Sequence, residues 1–195
     1  MRNRTHSAAP PLLLALALLA AAAMLRTAVL AAAPPPVPRA VPALTVVSPA
    51  GKSAPLAAAR KGDVVIVEFL LTNCPHCWRV AQTIGKVQAA LGPQGLEAMA
   101  VAFDKDLSGP LVSGFATRSG ITFPVAYATA DKVDGFLGRQ PGDRFQVPQV
   151  VVIDRAGMIR AQSLPVKEAN LENETYLRGL LEGLLKEAPP SATAK

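Results

Sequence analysis

Val64-Val65-Ile66-Val67-Glu68-Phe69-Leu70-Leu71-Thr72-Asn73-Cys74-Pro75-His76-Cys77 is the stretch from which the rest of the chain can be read. Residues 64–71 are apolar at both odd and even positions, Glu68 excepted. That is the pattern of a strand buried on both faces rather than one. Pro75 suits the first turn of a helix, where its missing N–H has no partner to lose. Val80, Ile84, Val87 and Leu91 then recur along one helical face, and Gly92-Pro93 ends it. The two cysteines of the chain, Cys74 and Cys77, therefore straddle the passage from a buried strand into a helix. Free backbone N–H groups and the positive end of the helix dipole favour a thiolate there. Cys74 is the expected attacking sulfur, and Cys77, one turn inside the helix, the resolving one.

Three other uses of such a pair fit less well. A zinc site needs about four ligands, and the other histidine, His6, lies near the N-terminus, far from His76 in sequence. Haem attachment needs a histidine directly after the second cysteine, and position 78 is Trp. A purely structural bridge over so short a loop constrains the unfolded chain little. No metal and no cofactor is expected.

Outward from this stretch, strand and helix signals alternate. Strands are expected at 96–103, 123–128, 149–154 and 158–162, the last two joined by the turn Arg155-Ala156-Gly157. Helices are expected at 111–118, 131–137 and 171–186, the last with Leu177, Leu180, Leu181, Leu184 and Leu185 as its apolar stripe. The order is α/β: parallel units first, an antiparallel hairpin near the end, then a closing helix.

The net charge is +6; Arg2, Arg4 and Arg26 supply three of these charges within residues 1–33, which hold no acid, so the rest nets +3. The basic residues are dispersed, which argues against a nucleic-acid partner. Arg2 and Arg4 precede an uncharged apolar run at 11–25, and small residues follow at Ala31-Ala32-Ala33. A spanning helix needs about 20 apolar residues, so the run suits the core of a cleaved export signal. An uncleaved anchor extending to Leu30, with Arg26 snorkelling to the interface, is the alternative. The expected layout is an export signal or membrane anchor at 1–33, a proline-rich linker at 34–43, one domain at 44–187 and a frayed tail at 188–195.

Glu68-Phe69, Cys74-Pro75-His76-Cys77 and Val147-Pro148 resemble the thioredoxin superfamily. Arg60-Lys61-Gly62-Asp63 before the first long strand, and Gly120-Ile121-Thr122-Phe123-Pro124-Val125 before a short helix, resemble its exported TlpA/ResA-like redoxin branch. The resemblance covers roughly residues 44–186. It implies a three-layer fold, a central mixed sheet flanked by helices. It also implies dithiol–disulfide exchange on extracytoplasmic proteins, in the periplasm or at the membrane, with a membrane electron donor. The Cys-Pro-His-Cys tetrad is itself similar to that of the DsbA oxidant family. Leu71 stands where an aromatic is often found and Asn73 where Trp is usual, so substrate and direction of electron flow stay open.

By this resemblance Glu68 is a buried acid that moves a proton to and from Cys77; the structural alternative is a strand-end carboxylate reaching solvent or a lysine. Pro148 is the cis-proline beside the redox pair; otherwise it is an ordinary trans proline entering a strand. It would turn the backbone of Val147 towards Cys74 to meet an extended substrate, with Pro75 and Trp78 also at the substrate surface. His76 either favours the Cys74 thiolate electrostatically or is an exposed spacer. A thiol peroxidase would want Thr at position 71, which is Leu, and a copper chaperone a distant His ligand, which is missing. The expectation is an exported thiol–disulfide oxidoreductase acting as reductase or exchange catalyst. A DsbA-like oxidant and a non-enzymatic metal-binding or chaperone module are the alternatives.

Overall fold

In the computed structural model, which describes residues 35–56, 62–139, 146–163 and 170–188, the chain runs through eight strands and four helices. They are β1 (Arg39–Ala40), β2 (Thr45–Val47), β3 (Ser53–Pro55), β4 (Val64–Leu70), α1 (Pro75–Leu91), β5 (Leu96–Ala102), α2 (Gly109–Ser119), β6 (Val125–Tyr127), α3 (Ala130–Leu137), β7 (Gln149–Ile153), β8 (Met158–Gln162) and α4 (Glu174–Lys186). One mixed sheet holds all the strands in the order β1-β8-β7-β4-β5-β6-β2-β3. The α/β architecture is the thioredoxin-like one expected, a central sheet flanked by helices.

β4 lies at the centre, parallel to β5 and antiparallel to β7, and all seven of its residues are buried. Successive side chains of a strand point to opposite faces. Val64, Ile66 and Leu70 accordingly join a core built with Val80, Ile84 and Val87 of α1, Phe115 of α2 and Leu177 and Leu181 of α4. Val65, Val67 and Phe69 join a second core on the other face, with Val133 and Phe136 of α3. The Phe69 and Phe136 rings meet tilted at 45°, with 5.2 Å between ring centres. Glu68 has the parity of Ile66 and Leu70, which turns its carboxyl towards the α1 face.

Helix ends are set by caps that the apolar pattern does not register. α2 starts two residues before the expected 111, because the Ser108 hydroxyl accepts the Leu111 N–H. α4 starts at Glu174 rather than 171, because Asn173 Oδ1 accepts the Tyr176 N–H. Leu171 stays fully buried all the same.

The proline-rich stretch departs from the linker expected at 34–43. Its Arg39–Ala40 pairs antiparallel with Ile159 and Met158 as an edge strand. The Arg39 guanidinium donates to the Phe136 carbonyl at 3.0 Å and to Gln162 Oε1 at 2.7 Å. The sheet thus begins before the expected start at 44. The hairpin β2–β3 was also unforeseen; strands of two or three residues carry no readable period and form only because a partner edge awaits them. The expected export segment at 1–33 lies outside the described residues, as does most of the expected tail. Among the described residues no helix is long and apolar enough to cross a membrane.

Arg39→Ala removes both bonds and leaves Gln162, a buried residue, short of a donor. It should lower stability by about 1–3 kcal/mol, read as a shift in urea midpoint at constant slope. An unchanged midpoint would show that the proline-rich stretch adds nothing to the fold.

Candidate active site

The C-terminal end of β4 leads through Leu71-Thr72-Asn73 to Cys74, and this short passage is tied on several sides. The Asp104 carboxylate, just past β5, accepts the Thr72 N–H at 3.1 Å and the Thr72 hydroxyl at 2.9 Å. The Thr72 carbonyl accepts the Trp78 indole N–H and the Arg118 guanidinium, each at 3.2 Å. That guanidinium also lies 5.9 Å from the centre of the Trp78 ring, within reach of a cation–π contact. The Cys74 N–H donates to the Leu71 carbonyl at 3.2 Å. Trp78 is therefore part of the frame around the cysteines, half-buried, with its one polar atom satisfied.

Cys74 is the N-cap of α1, with extended backbone (φ −90°, ψ 110°), and its Sγ accepts the Cys77 N–H at 3.2 Å. A cap acceptor of this kind satisfies one of the helix's free donors, and a sulfur does so best as the anion. Pro75 follows in the first turn. Cys74 is half-buried, whereas Cys77 is fully buried, and both are free thiols. Burial pushes the Cys77 thiol up, and its hydrogen bond with Cys74 and the charges of Cys74 and Glu68 add to the rise. The two sulfurs thus have unequal access, and burial favours the thiol form of Cys77.

Glu68 is fully buried. Neither of its carboxyl oxygens has a hydrogen-bond partner among the described residues. Burial holds its carboxyl well above the ordinary range, with smaller contributions from Cys74 and Glu172. An isolated carboxylate in such a place is costly, so the group keeps its proton. A buried acid on the α1 face, electrostatically coupled to the cysteine pair, can take or give one proton without solvent.

The Val147–Pro148 bond is cis. Gln149, next in the chain, pairs with Phe69 near the C-terminal end of β4. Register alone therefore brings Val147-Pro148 to the sheet end from which Cys74 projects. Val147 and Cys74 pack against the same core. Pro148 is buried and Val147 half-buried.

His76 does not bond to Cys74. Its Nε2 lies 2.7 Å from Glu172 Oε2, both side chains being about two-fifths exposed. Arg79 is exposed and donates to the Pro75 carbonyl of its own helix. The sequence assigns no site role to Thr72, Asp104, Arg118 or Glu172. Asp104 had one signal, a polar residue just beyond the C-terminal end of a parallel strand, where sites of α/β sheets gather. Glu172 had none, being 96 residues from His76.

The sequence matches the family model described as Redoxin over residues 36–180. No curated protein matches it. Among solved structures, a thiol:disulfide interchange protein of the thioredoxin family from Chlorobium tepidum is 24% identical. It aligns over 77% of this chain and 99% of its own, with a TM-score of 0.61. The thioredoxin domain of a thiol-disulfide oxidoreductase from Bacteroides vulgatus is 19% identical over 77% and 99%, with a TM-score of 0.62. A secreted Mycobacterium tuberculosis disulfide oxidoreductase homologous to E. coli DsbE is 16% identical over 72% and 96%, with a TM-score of 0.56.

Two outcomes follow from the unequal environments of these groups. Alkylation of the reduced protein near pH 6 should label Cys74 well before Cys77, as read by peptide mass; the reverse order would overturn the assignment of the exposed sulfur. A raised acid means that the folded state holds a proton the unfolded state has lost. Stability contributed by Glu68 therefore falls as pH rises from the ordinary carboxyl range towards its folded value. Glu68→Gln should unfold at higher urea than the parent at pH 8, and the gain should shrink towards pH 4. A pH-independent difference would show that the Glu68 carboxyl does not titrate as a buried acid.

Proposed function

The chain belongs to the Redoxin family, and from this premise we propose that it is a thiol–disulfide oxidoreductase in which Cys74 and Cys77 carry the exchange on protein thiols and disulfides outside the cytoplasm. The observation that carries this reading is the pairing of a half-buried sulfur on a helix N-cap with a fully buried one a turn below it, above a buried acid.

In the reducing direction the Cys74 thiolate attacks a substrate disulfide. A Cys74–substrate disulfide forms and one substrate thiolate leaves. Cys77 then loses its proton and attacks Cys74 Sγ, and the second substrate thiolate departs. The substrate disulfide has gained two electrons and the Cys74–Cys77 pair has lost them. The Cys77 proton passes by way of the Glu68 carboxyl, which gives up its own proton to the first departing substrate thiolate and then takes the one from Cys77; in the reverse direction the same transfers run backwards. Val147, at the sheet end beside the pair, offers backbone to an extended substrate, and exposed Pro75 and half-buried Trp78 border the same surface.

Regeneration of the dithiol requires an external dithiol, and a membrane-bound electron donor fits an exported chain. The apolar run at 11–25, with Arg2 and Arg4 before it, supports export. We read the in-cell role as reductase or exchange catalyst. His76, the residue that would make the pair a strong oxidant, is engaged by Glu172 instead of Cys74.

Replacing Cys77 by Ser removes the resolving sulfur and should trap substrates as mixed disulfides on Cys74, released by dithiothreitol and identifiable by mass. No trapped species, or the same species from a Cys74→Ser, Cys77→Ser double variant, would refute the reading. In glutathione buffers the pair should titrate above thioredoxin's potential of about −270 mV and below DsbA's of about −120 mV.

A further inference from the structure

Glu172 sits on a segment fixed at both ends. Leu171 before it is fully buried in the core that lines β4 and α1. Asn173 after it caps α4, and the Asn173 N–H donates to the Asn170 carbonyl at 2.9 Å. The next carboxylate, Glu174, faces Arg178 at 3.5 Å and Lys86 at 3.9 Å. Glu172 is the acid placed at the start of the redox helix, where it meets His76 Nε2 at 2.7 Å. This is the one hydrogen bond the imidazole makes among the described residues.

We propose that Glu172 is a positioning residue of the redox site: by binding His76 Nε2 it keeps the imidazole off the Cys74 sulfur and so holds the pair less oxidising than its Cys-Pro-His-Cys sequence alone would make it. This rests on the reading of Cys74–Cys77 as the redox pair. The argument is one of ring orientation. The imidazole has two ring nitrogens, and the carboxylate holds Nε2 at 2.7 Å, which keeps the ring turned to Glu172 with no bond to Cys74. The Cys74 sulfur then has the Cys77 N–H as its hydrogen-bond donor at the helix terminus, without the charge-assisted bond an imidazolium would add. A reduced form with one strong donor fewer is less stabilised, and its disulfide is a weaker oxidant. The carboxylate also cancels much of the positive charge that His76 would otherwise present to the thiolate. Two exposed partners make a weak bridge for stability. The consequence of this pair is the orientation of the imidazole.

The test is the equilibrium of the full chain with glutathione at pH 6. The parent, Glu172→Ala, His76→Ala and the double variant are compared, with urea midpoints as the check on folding. Glu172→Ala should favour the reduced protein about tenfold, a rise of about 30 mV. In the His76→Ala background the same substitution should change the equilibrium less than threefold. A change below threefold in the single variant, a change towards the disulfide, or a change of threefold or more in both backgrounds overturns the proposal. A parent that forms no Cys74–Cys77 disulfide at any glutathione ratio overturns the redox reading beneath it. A parent that titrates normally while Glu172→Ala leaves it unmoved overturns the role of Glu172 alone.

Discussion

Strand β4 is held on four sides. Its two edges are paired, with β5 and with β7, and its two faces are covered, by α1 and α4 on one and α3 on the other. A strand so enclosed cannot slip by a residue, because slippage would drive every apolar side chain to the opposite core and turn Glu68 from one core into the other. Two features of the site inherit this constraint. Cys74 is only four residues beyond the strand, so its place at the helix start is fixed from below. The Glu68 carboxyl faces α1 by parity, and α1 is the helix that carries Cys77.

The two sulfurs are buried to different depths, and this divides their work. Cys74 keeps partial access and gains the helix terminus; Cys77 loses solvent altogether and is pushed up. An attacking group must be reachable, whereas a resolving group should wait until its neighbour has reacted. The acid below follows the same logic. A carboxyl with neither oxygen partnered costs stability, since an unsatisfied buried polar group typically costs about 1–3 kcal/mol. Local frustration of this sort is expected where function, rather than folding, sets the residue.

Around the pair, charge is arranged by depth. The buried acid has no counter-ion among the described residues, and the exposed imidazole has one. Arg118, which bonds the loop, is engaged by the Thr72 carbonyl and the Trp78 face rather than by a sulfur. Far from the site, Arg160 bridges Asp154 and Glu187 and links β8 to the end of α4. Among the described residues no bond ties that bridge to the redox pair. Glu172 lies two residues before the helix that the bridge steadies.

By itself the sequence determined the long elements and the chemistry. A two-sided apolar run, a proline on a helix start and paired cysteines are local facts, and β4, α1 and β5 lie within a residue of where the pattern put them. Glu68 was legible because a lone acid in an apolar run is conspicuous. Only the tertiary structure decided the sheet's edges, the frame of the loop and the partner of His76. β1, β2 and β3 are too short to carry a period, and they are strands because another edge accepts their backbone groups. Asp104 reaches Thr72 across 32 residues and Glu172 reaches His76 across 96. Contacts at that separation leave no periodic trace along the chain, since they are made by the packing of whole elements and not by the preferences of the residues that meet.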